Sequence, residues 1–218
     1  MAQGDSPRLY LIAPAVDEWG DFLAMLEEAC AAGDVASLLV TLPPVDARAR
    51  VNFVKAAAAV VQKYGTALLA RYPDTEELIR QAFRGGADGI HVMGGGDTLL
   101  AVRGQIGNDA ILGAGGLKSR DDAMWAGERG ADYVMFGEPH ADGFVPPLSQ
   151  IRERVAWWCE IFNIPCVAYA PDQTALEALA DAGAEFLAVD EPVWKHPRGA
   201  GAAVGELNDI LKNYRVAE

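Results

Sequence analysis

The chain is short of cysteine, of positive charge and of long apolar runs, and each shortage removes a class of protein. Its three cysteines, Cys30, Cys159 and Cys166, are odd in number and show no C-x-x-C spacing. That argues against a disulfide framework, and the apolar surroundings read as reduced, structural thiols. Lys and Arg total 18 against 31 Asp and Glu, a formal charge of −13. Such a field repels phosphate backbones and anionic lipid, and no local basic patch offsets it, so nucleic acid and membrane surfaces are excluded as partners. No run of about eighteen apolar residues exists to span a bilayer. The segment Met1–Arg8 also lacks the basic-then-apolar pattern of a secretory signal. A cytoplasmic protein acting on a small molecule is the expectation.

What the chain has in abundance is a repeated junction. A glycine, a small residue or none, an acid and then an apolar run occur at Gly33-Asp34-Val35, Gly86-Ala87-Asp88-Gly89, Gly130-Ala131-Asp132-Tyr133 and Gly183-Ala184-Glu185-Phe186. Each reads as a helix closed by a glycine C-cap and a buried strand opening after it. The glycines recur after 53, 44 and 53 residues, and one such interval holds two strand–helix pairs. Four units of that length make a (βα)8 TIM barrel, with 218 residues as one domain over 1–218. A doubly wound open sheet is the competing architecture and accounts less well for the quarter repeat.

The apolar runs predict strands near Arg8–Pro14, Val35–Leu42, Thr66–Arg71, Gly89–Met93, Ala110–Ala114, Asp132–Gly137, Pro165–Ala170 and Glu185–Asp190. Between them helical patterns run over Trp19–Ala32, Ala47–Lys63, Thr75–Arg84, Thr98–Ile106, Ser119–Arg129, Leu148–Phe162, Thr174–Ala182 and Ala203–Tyr214. On the sixth of these, one of Trp157 and Trp158 is expected to pack inward and the other to cover a neighbour or a second subunit, so a homodimer is among the expected states.

In a barrel the chemistry belongs to the loops at the carboxyl ends of the strands. Gly94-Gly95-Gly96, ahead of a helix, offers backbone N–H groups to a phosphate, or is a turn that needs positive φ. Asp97 after it is a helix N-cap or a metal ligand. Gly115-Gly116 with Lys118 is a second anion nest, and Ser119 is a capping residue. Glu138, His140 and Asp142 alternate, so an extended loop aims all three one way, for a divalent metal or for proton exchange. An irregular loop would leave them solvated. The stretch from Asp190 to Gly201 gathers Lys195, His196 and Arg198, as a phosphate site or as a surface loop. Around Leu42-Pro43-Pro44 the mouth is apolar, either plugged or open to an aromatic ligand.

The run from Gly86 to Val92, Asp97, Ile111-Leu112-Gly113, Ser119, and Gly130 through Gly137 with Pro139 resembles the thiamin phosphate synthase family and its thiazole tautomerase branch. The resemblance is clearest over 86–139 and extends in outline to the opening Arg8-Leu9-Tyr10-Leu11-Ile12. It implies a (βα)8 barrel that joins a pyrimidine diphosphate to a thiazole phosphate, with Mg²⁺ neutralising the leaving diphosphate. Asp97 matches the family's metal-binding aspartate, and His91 would support the loop that carries it. The chain also departs from the pattern. A Gln-x-Arg-x-Lys cluster of the family has no counterpart in Ala36–Pro44, and Ala70-Arg71 stands where the family has Asn-Asp, with Asp74 several residues on. Glu138 through Pro147 replaces Thr-x-Thr-Lys, and Ala170-Pro171-Asp172 replaces a Gly-Gly.

Two expectations follow. The chain is a synthase-type transferase using Asp97 and Mg²⁺, or it is a divergent barrel that binds or acts on another small phosphorylated compound through Lys118, Glu138 and His140. Arg71, standing where the second carboxylate was lost, is expected to clamp one phosphate together with Lys118 without a metal.

Overall fold

The computed structural model describes residues 6–15, 19–72, 75–94, 96–139 and 143–216. Among them the chain alternates β1 (Arg8–Ile12), α1 (Trp19–Ala32), β2 (Val35–Val40), α2 (Ala47–Val61), β3 (Ala67–Arg71), α3 (Glu76–Gly85), β4 (Gly89–Met93) and α4 (Asp97–Ile106). It continues through β5 (Ile111–Gly115), α5 (Arg120–Glu128), β6 (Tyr133–Phe136), α6 (Leu148–Ile161), β7 (Cys166–Tyr169), α7 (Gln173–Asp181), β8 (Phe186–Val189), α8 (Glu191–Trp194) and α9 (Ala200–Leu211). All neighbouring strands pair in parallel, and β8 returns to β1 to close the barrel. The open-sheet alternative is thereby excluded.

Alternation within each strand separates two apolar layers, because successive side chains point to opposite faces. Leu9, Leu11, Leu38, Leu68, Ile90, Leu112 and Val134 point outward and pack against the helices in one continuous core. Tyr10, Leu39, Leu69, Tyr133, Met135, Val167, Tyr169 and Ala188 fill the barrel interior. Trp158 is fully buried in the outer core. Trp157 is half-buried, with the Arg120 guanidinium 4.8 Å from its ring and Phe162 against its edge.

The repeated junction has a physical explanation at the amino end of the barrel. Each acid precedes an even-numbered strand and reaches the odd-numbered strand before it. Asp88 Oδ2 accepts the Leu68 N–H at 2.7 Å, Asp132 Oδ2 accepts the Leu112 N–H at 2.7 Å, and Glu185 Oε2 accepts the Cys166 N–H at 2.8 Å. Asp34 instead takes both arms of the Arg8 guanidinium at 2.7 Å. Asp88, Asp132 and Glu185 thus satisfy N–H groups near the start of a strand. Asp132→Ala should therefore cost about 1–3 kcal/mol, since it strips the Leu112 N–H and leaves the Arg103 guanidinium without its carboxylate. A lowered urea midpoint with an unchanged circular dichroism spectrum would show it, and an unchanged midpoint would refute the role.

Some local expectations needed correction. Gly86, Gly130 and Gly183 take left-handed φ of 96°, 84° and 98°, as C-terminal glycines do, but Gly33 does not. Its lack of a side chain serves packing: a Cβ there would lie 2.7 Å from Asn208 Nδ2 of α9. The helix expected over Ala47–Lys63 stops at Val61 and tightens into a 3₁₀ turn, Gln62–Tyr64. The short helix α8 was not foreseen, because four residues are too few to show a period. Asp97 is not a helix N-cap. Gly96, at φ 80°, holds that position, and Asp97 is the first helical residue with its carboxylate exposed.

Candidate functional site at the carboxyl end of the barrel

The interior of the barrel carries one continuous chain of polar side chains. Arg71 closes β3 and donates from a terminal nitrogen to Glu138 Oε1 at 2.5 Å. The other carboxylate oxygen of Glu138 lies 2.9 Å from His91 Nε2 on β4. His91 Nδ1 is 2.7 Å from the Tyr133 hydroxyl on β6, and that hydroxyl is 2.9 Å from the Tyr10 hydroxyl on β1. His91 and the Glu138 side chain are fully buried, while Arg71 is about one quarter exposed, at 26%. The chain thus begins at the rim and ends among apolar side chains near the barrel axis.

One direction of protons satisfies every link. Tyr10 O–H donates to the Tyr133 oxygen, Tyr133 O–H donates to Nδ1, and Nε2–H donates to the Glu138 carboxylate. Protonating the ring would reverse the two tyrosine bonds and leave the Nε2 bond in place. Burial pushes both tyrosine hydroxyls well above the ordinary tyrosine range, so they remain protonated donors at neutral pH. Burial also works to raise the Glu138 carboxyl. The electrostatic and hydrogen-bond pull of His91, then of Arg71, outweighs it and holds the carboxyl below the ordinary glutamate range. Glu138 is therefore ionised, and it fixes the Arg71 guanidinium at the rim.

Space for this chain comes from β5. A Cβ on Gly113 would lie 2.0 Å from Tyr133 Cζ, and one on Gly115 would lie 2.1 Å from Glu138 Oε2 and 2.5 Å from His91 Nε2. The sequence Ile111-Leu112-Gly113-Ala114-Gly115 places both glycines on the inward face. Glu138 itself follows Gly137, whose φ of 83° turns the chain inward after β6.

Beside Arg71 the rim opens into a hollow of about 310 Å³ lined by Thr41, Leu42, Pro43, Pro44, Arg50, Tyr72 and Leu78 as well. The mouth near Leu42-Pro43-Pro44 is thus open. Arg50 is committed to structure there, donating to the Pro43 and Val45 carbonyls and to Gln81. Arg71 has Glu138 as its described partner and keeps its remaining donors for the hollow. A roomier cleft of about 540 Å³ lies outside the barrel between α3 and α4, and its Arg80 is bound by Glu76 and Glu77. We place the site at the rim, where the interior polar chain emerges.

The other expected site residues are spread around the same rim. The Gly94 N–H donates to the Gly115 carbonyl at 2.7 Å, so it is not free for an anion. Gly116 has φ 63°, and a Cβ there would lie 3.2 Å from Met93 Cε and 3.3 Å from the Gly94 nitrogen. Lys118 is exposed, with its backbone tied to Asp122 and Arg154, and its ammonium has no partner among the described residues. Ser119 caps α5 in a reciprocal box with Asp122, as expected. Gly95, Asp74, His140 and Asp142 lie outside the described residues. After β8, Lys195 pairs with Glu191, while Arg198 and His196 both face Glu206, so these three side chains are already engaged. Tyr10, Tyr133 and Tyr72 were not singled out from sequence. Two glycines on one face of a single strand were the signal that something large crosses there.

The fold and this rim define a TIM barrel with an arginine-bearing, carboxylate-anchored mouth. The sequence profile of the family described as thiamine monophosphate synthase matches residues 9–193. The thiamine-phosphate synthase of Rhodospirillum centenum is 38% identical over 208 residues, covering 94% of this chain and 98% of that protein. That of Hyphomonas neptunium is 38% identical over 216 residues, covering 94% of each. The thiamine phosphate pyrophosphorylase structure from Pyrococcus furiosus superposes with a TM-score of 0.77 at 21% identity, over 94% of this chain and 96% of that one. The chain belongs to the thiamine monophosphate synthase family. No helix among the described residues is long and apolar enough to cross a membrane.

Proposed function

We propose that the chain binds a small phosphorylated compound of thiamine assembly at the rim hollow, with Arg71 as its main anion-binding group, and that it carries out the family's transfer reaction. In that reaction diphosphate leaves a benzylic-type carbon of the pyrimidine and the thiazole phosphate is joined there. The observation that carries the reading is the Arg71–Glu138–His91 arrangement. A guanidinium held from behind by an ionised, buried carboxylate loses little side-chain entropy when it meets a phosphate. Lys118, exposed across the rim, adds a second cation for a ligand with two anionic groups.

The donor set fits Mg²⁺ only in part. Asp97 supplies one exposed carboxylate at the amino end of α4, and among the described residues no group of three potential ligands includes it. Mg²⁺ accepts such a site when substrate phosphates and water complete its octahedron, and there it would neutralise the leaving diphosphate. This thin donor set favours a second reading, a barrel that binds the phosphorylated ligand without condensing it.

One set of measurements separates them. Thiamine phosphate formed from the two substrates with Mg²⁺ supports the transferase and removes the second reading. Binding of the thiazole phosphate without product supports the second. In titration calorimetry with chelator present, Arg71→Ala should weaken that binding at least about tenfold, the loss of one charge-assisted hydrogen bond of about 1.5–3 kcal/mol. Binding that requires Mg²⁺, or that survives Arg71→Ala unchanged, would remove Arg71 from this role.

A further inference from the structure

Three of the four acids on the barrel floor, Asp88, Asp132 and Glu185, are alike in accepting a backbone N–H, and all four differ in their side-chain neighbours. Asp34 has Arg8, Asp132 has Arg103, and Asp88 has the Gln62 amide. Glu185 has two thiols. Cys159 Sγ, on α6, lies 3.8 Å from Glu185 Oε2, and Cys166 opens β7 with its N–H on the same oxygen. The two sulfurs and the carboxylate lie within 4.8 Å of one another, and no ion pair to Glu185 forms among the described residues. Burial pushes the Glu185 carboxyl and the Cys166 thiol above their ordinary ranges. A partly buried acid with two sulfur donors and no cation is a donor set waiting for positive charge.

We propose that Cys159, Cys166 and Glu185 bind a thiophilic divalent cation of the zinc class at the floor of the barrel, opposite the rim. Two thiolates and one carboxylate are ligands such ions favour, with water as the fourth. The separations suit it. Even with every edge at the full 4.8 Å, the centre of the triangle is about 2.8 Å from each donor, against about 2.3 Å for a Zn–S bond and about 2.1 Å for Zn–O. A contraction of about half an ångström or slightly more per donor closes the site, within reach of a rotamer adjustment. Binding releases two thiol protons to solvent for each ion taken up, with no change of oxidation state. The ion would tie the end of α6 to the starts of β7 and β8.

Cadmium and cobalt are the probes, added to chelator-stripped full-length protein under reducing conditions. The expected result is one ion per chain, a thiolate-to-cadmium charge-transfer band in the ultraviolet, and two protons released per ion in weakly buffered solution. Cys159→Ser should abolish the band. Glu185→Gln, which can still accept the Cys166 N–H, should keep the band and weaken binding at least about tenfold. Cys30→Ser, at a buried thiol elsewhere in the core, should change nothing. The proposal is overturned if equimolar cadmium gives no band, or if the band survives Cys159→Ser. Should a variant fail to fold, wild-type proton release decides: two per ion supports the site, none refutes it.

Discussion

Glu138→Ala should be among the most damaging single substitutions in the chain, lowering stability by about 3–5 kcal/mol and loosening anion binding at the rim together. It removes the carboxylate from between two donors. His91 Nε2 would be left bare in a fully buried position, and the Arg71 guanidinium would lose the partner that fixes it. Glu138→Gln is the informative control because it keeps size and an acceptor while deleting the charge. The pH dependence has a definite sign. The folded carboxyl lies below its ordinary value of 4.5, so its stabilisation is complete above that value and is lost as pH falls through the lower folded one. The stability advantage of wild type over Glu138→Gln should therefore narrow on acidification below about pH 4.5 and stay level from there to neutrality. Urea midpoints of both proteins across that range would show it, and a gap independent of pH would contradict the assignment.

Gly113→Ala is expected to do comparable harm by a different route. A methyl group 2.0 Å from Tyr133 Cζ cannot coexist with that ring, so the ring must leave its place and break its bonds to His91 and Tyr10. Overpacking of this kind costs about 1–3 kcal/mol, and the lost hydrogen bonds add to it. The cause can be isolated with a double-variant cycle. Gly113→Ala together with Tyr133→Ala should cost less than the two changes summed, because the small side chain at 133 admits the methyl. Tyr133→Phe keeps Cζ, so it should save only the hydrogen bonds that both single changes lose and give no relief of the clash. Additive effects in the first cycle would mean that the glycine serves some other need.

The barrel itself was readable before any coordinates, because its signals are local and repeated. Glycine-terminated helices, continuous apolar strands and regular spacing survive as one-dimensional patterns. Six strands proved one or two residues shorter than the apolar runs at one or both ends, Gly89–Met93 matched its run, and β5 ended one residue later, at Gly115. The site was readable only in pieces. Arg71, His91 and Glu138 were each noticed for a separate reason, and nothing in their spacing of 20 and 47 residues joins them. Their meeting depends on β3, β4 and the end of β6 converging on the barrel interior past two glycines of the intervening β5, which is a property of closure. Tyr10 and Tyr133 read as ordinary core aromatics, since a hydroxyl deep in an apolar run has no periodic signature.

The acids at the amino end of the barrel imply that its eight staves are not equivalent. Each carboxylate clasps an odd strand to the even strand that follows it, and none clasps an even strand to the next odd one. The cylinder is thus four riveted pairs, and among the described residues the β2–β3 seam is held not by a carboxylate but by the Thr66 hydroxyl, which donates to the Val35 carbonyl at 2.7 Å. Chain breaks or permuted termini placed between pairs would leave every rivet whole, whereas a cut within a pair would part its two halves and leave a strand's leading N–H exposed.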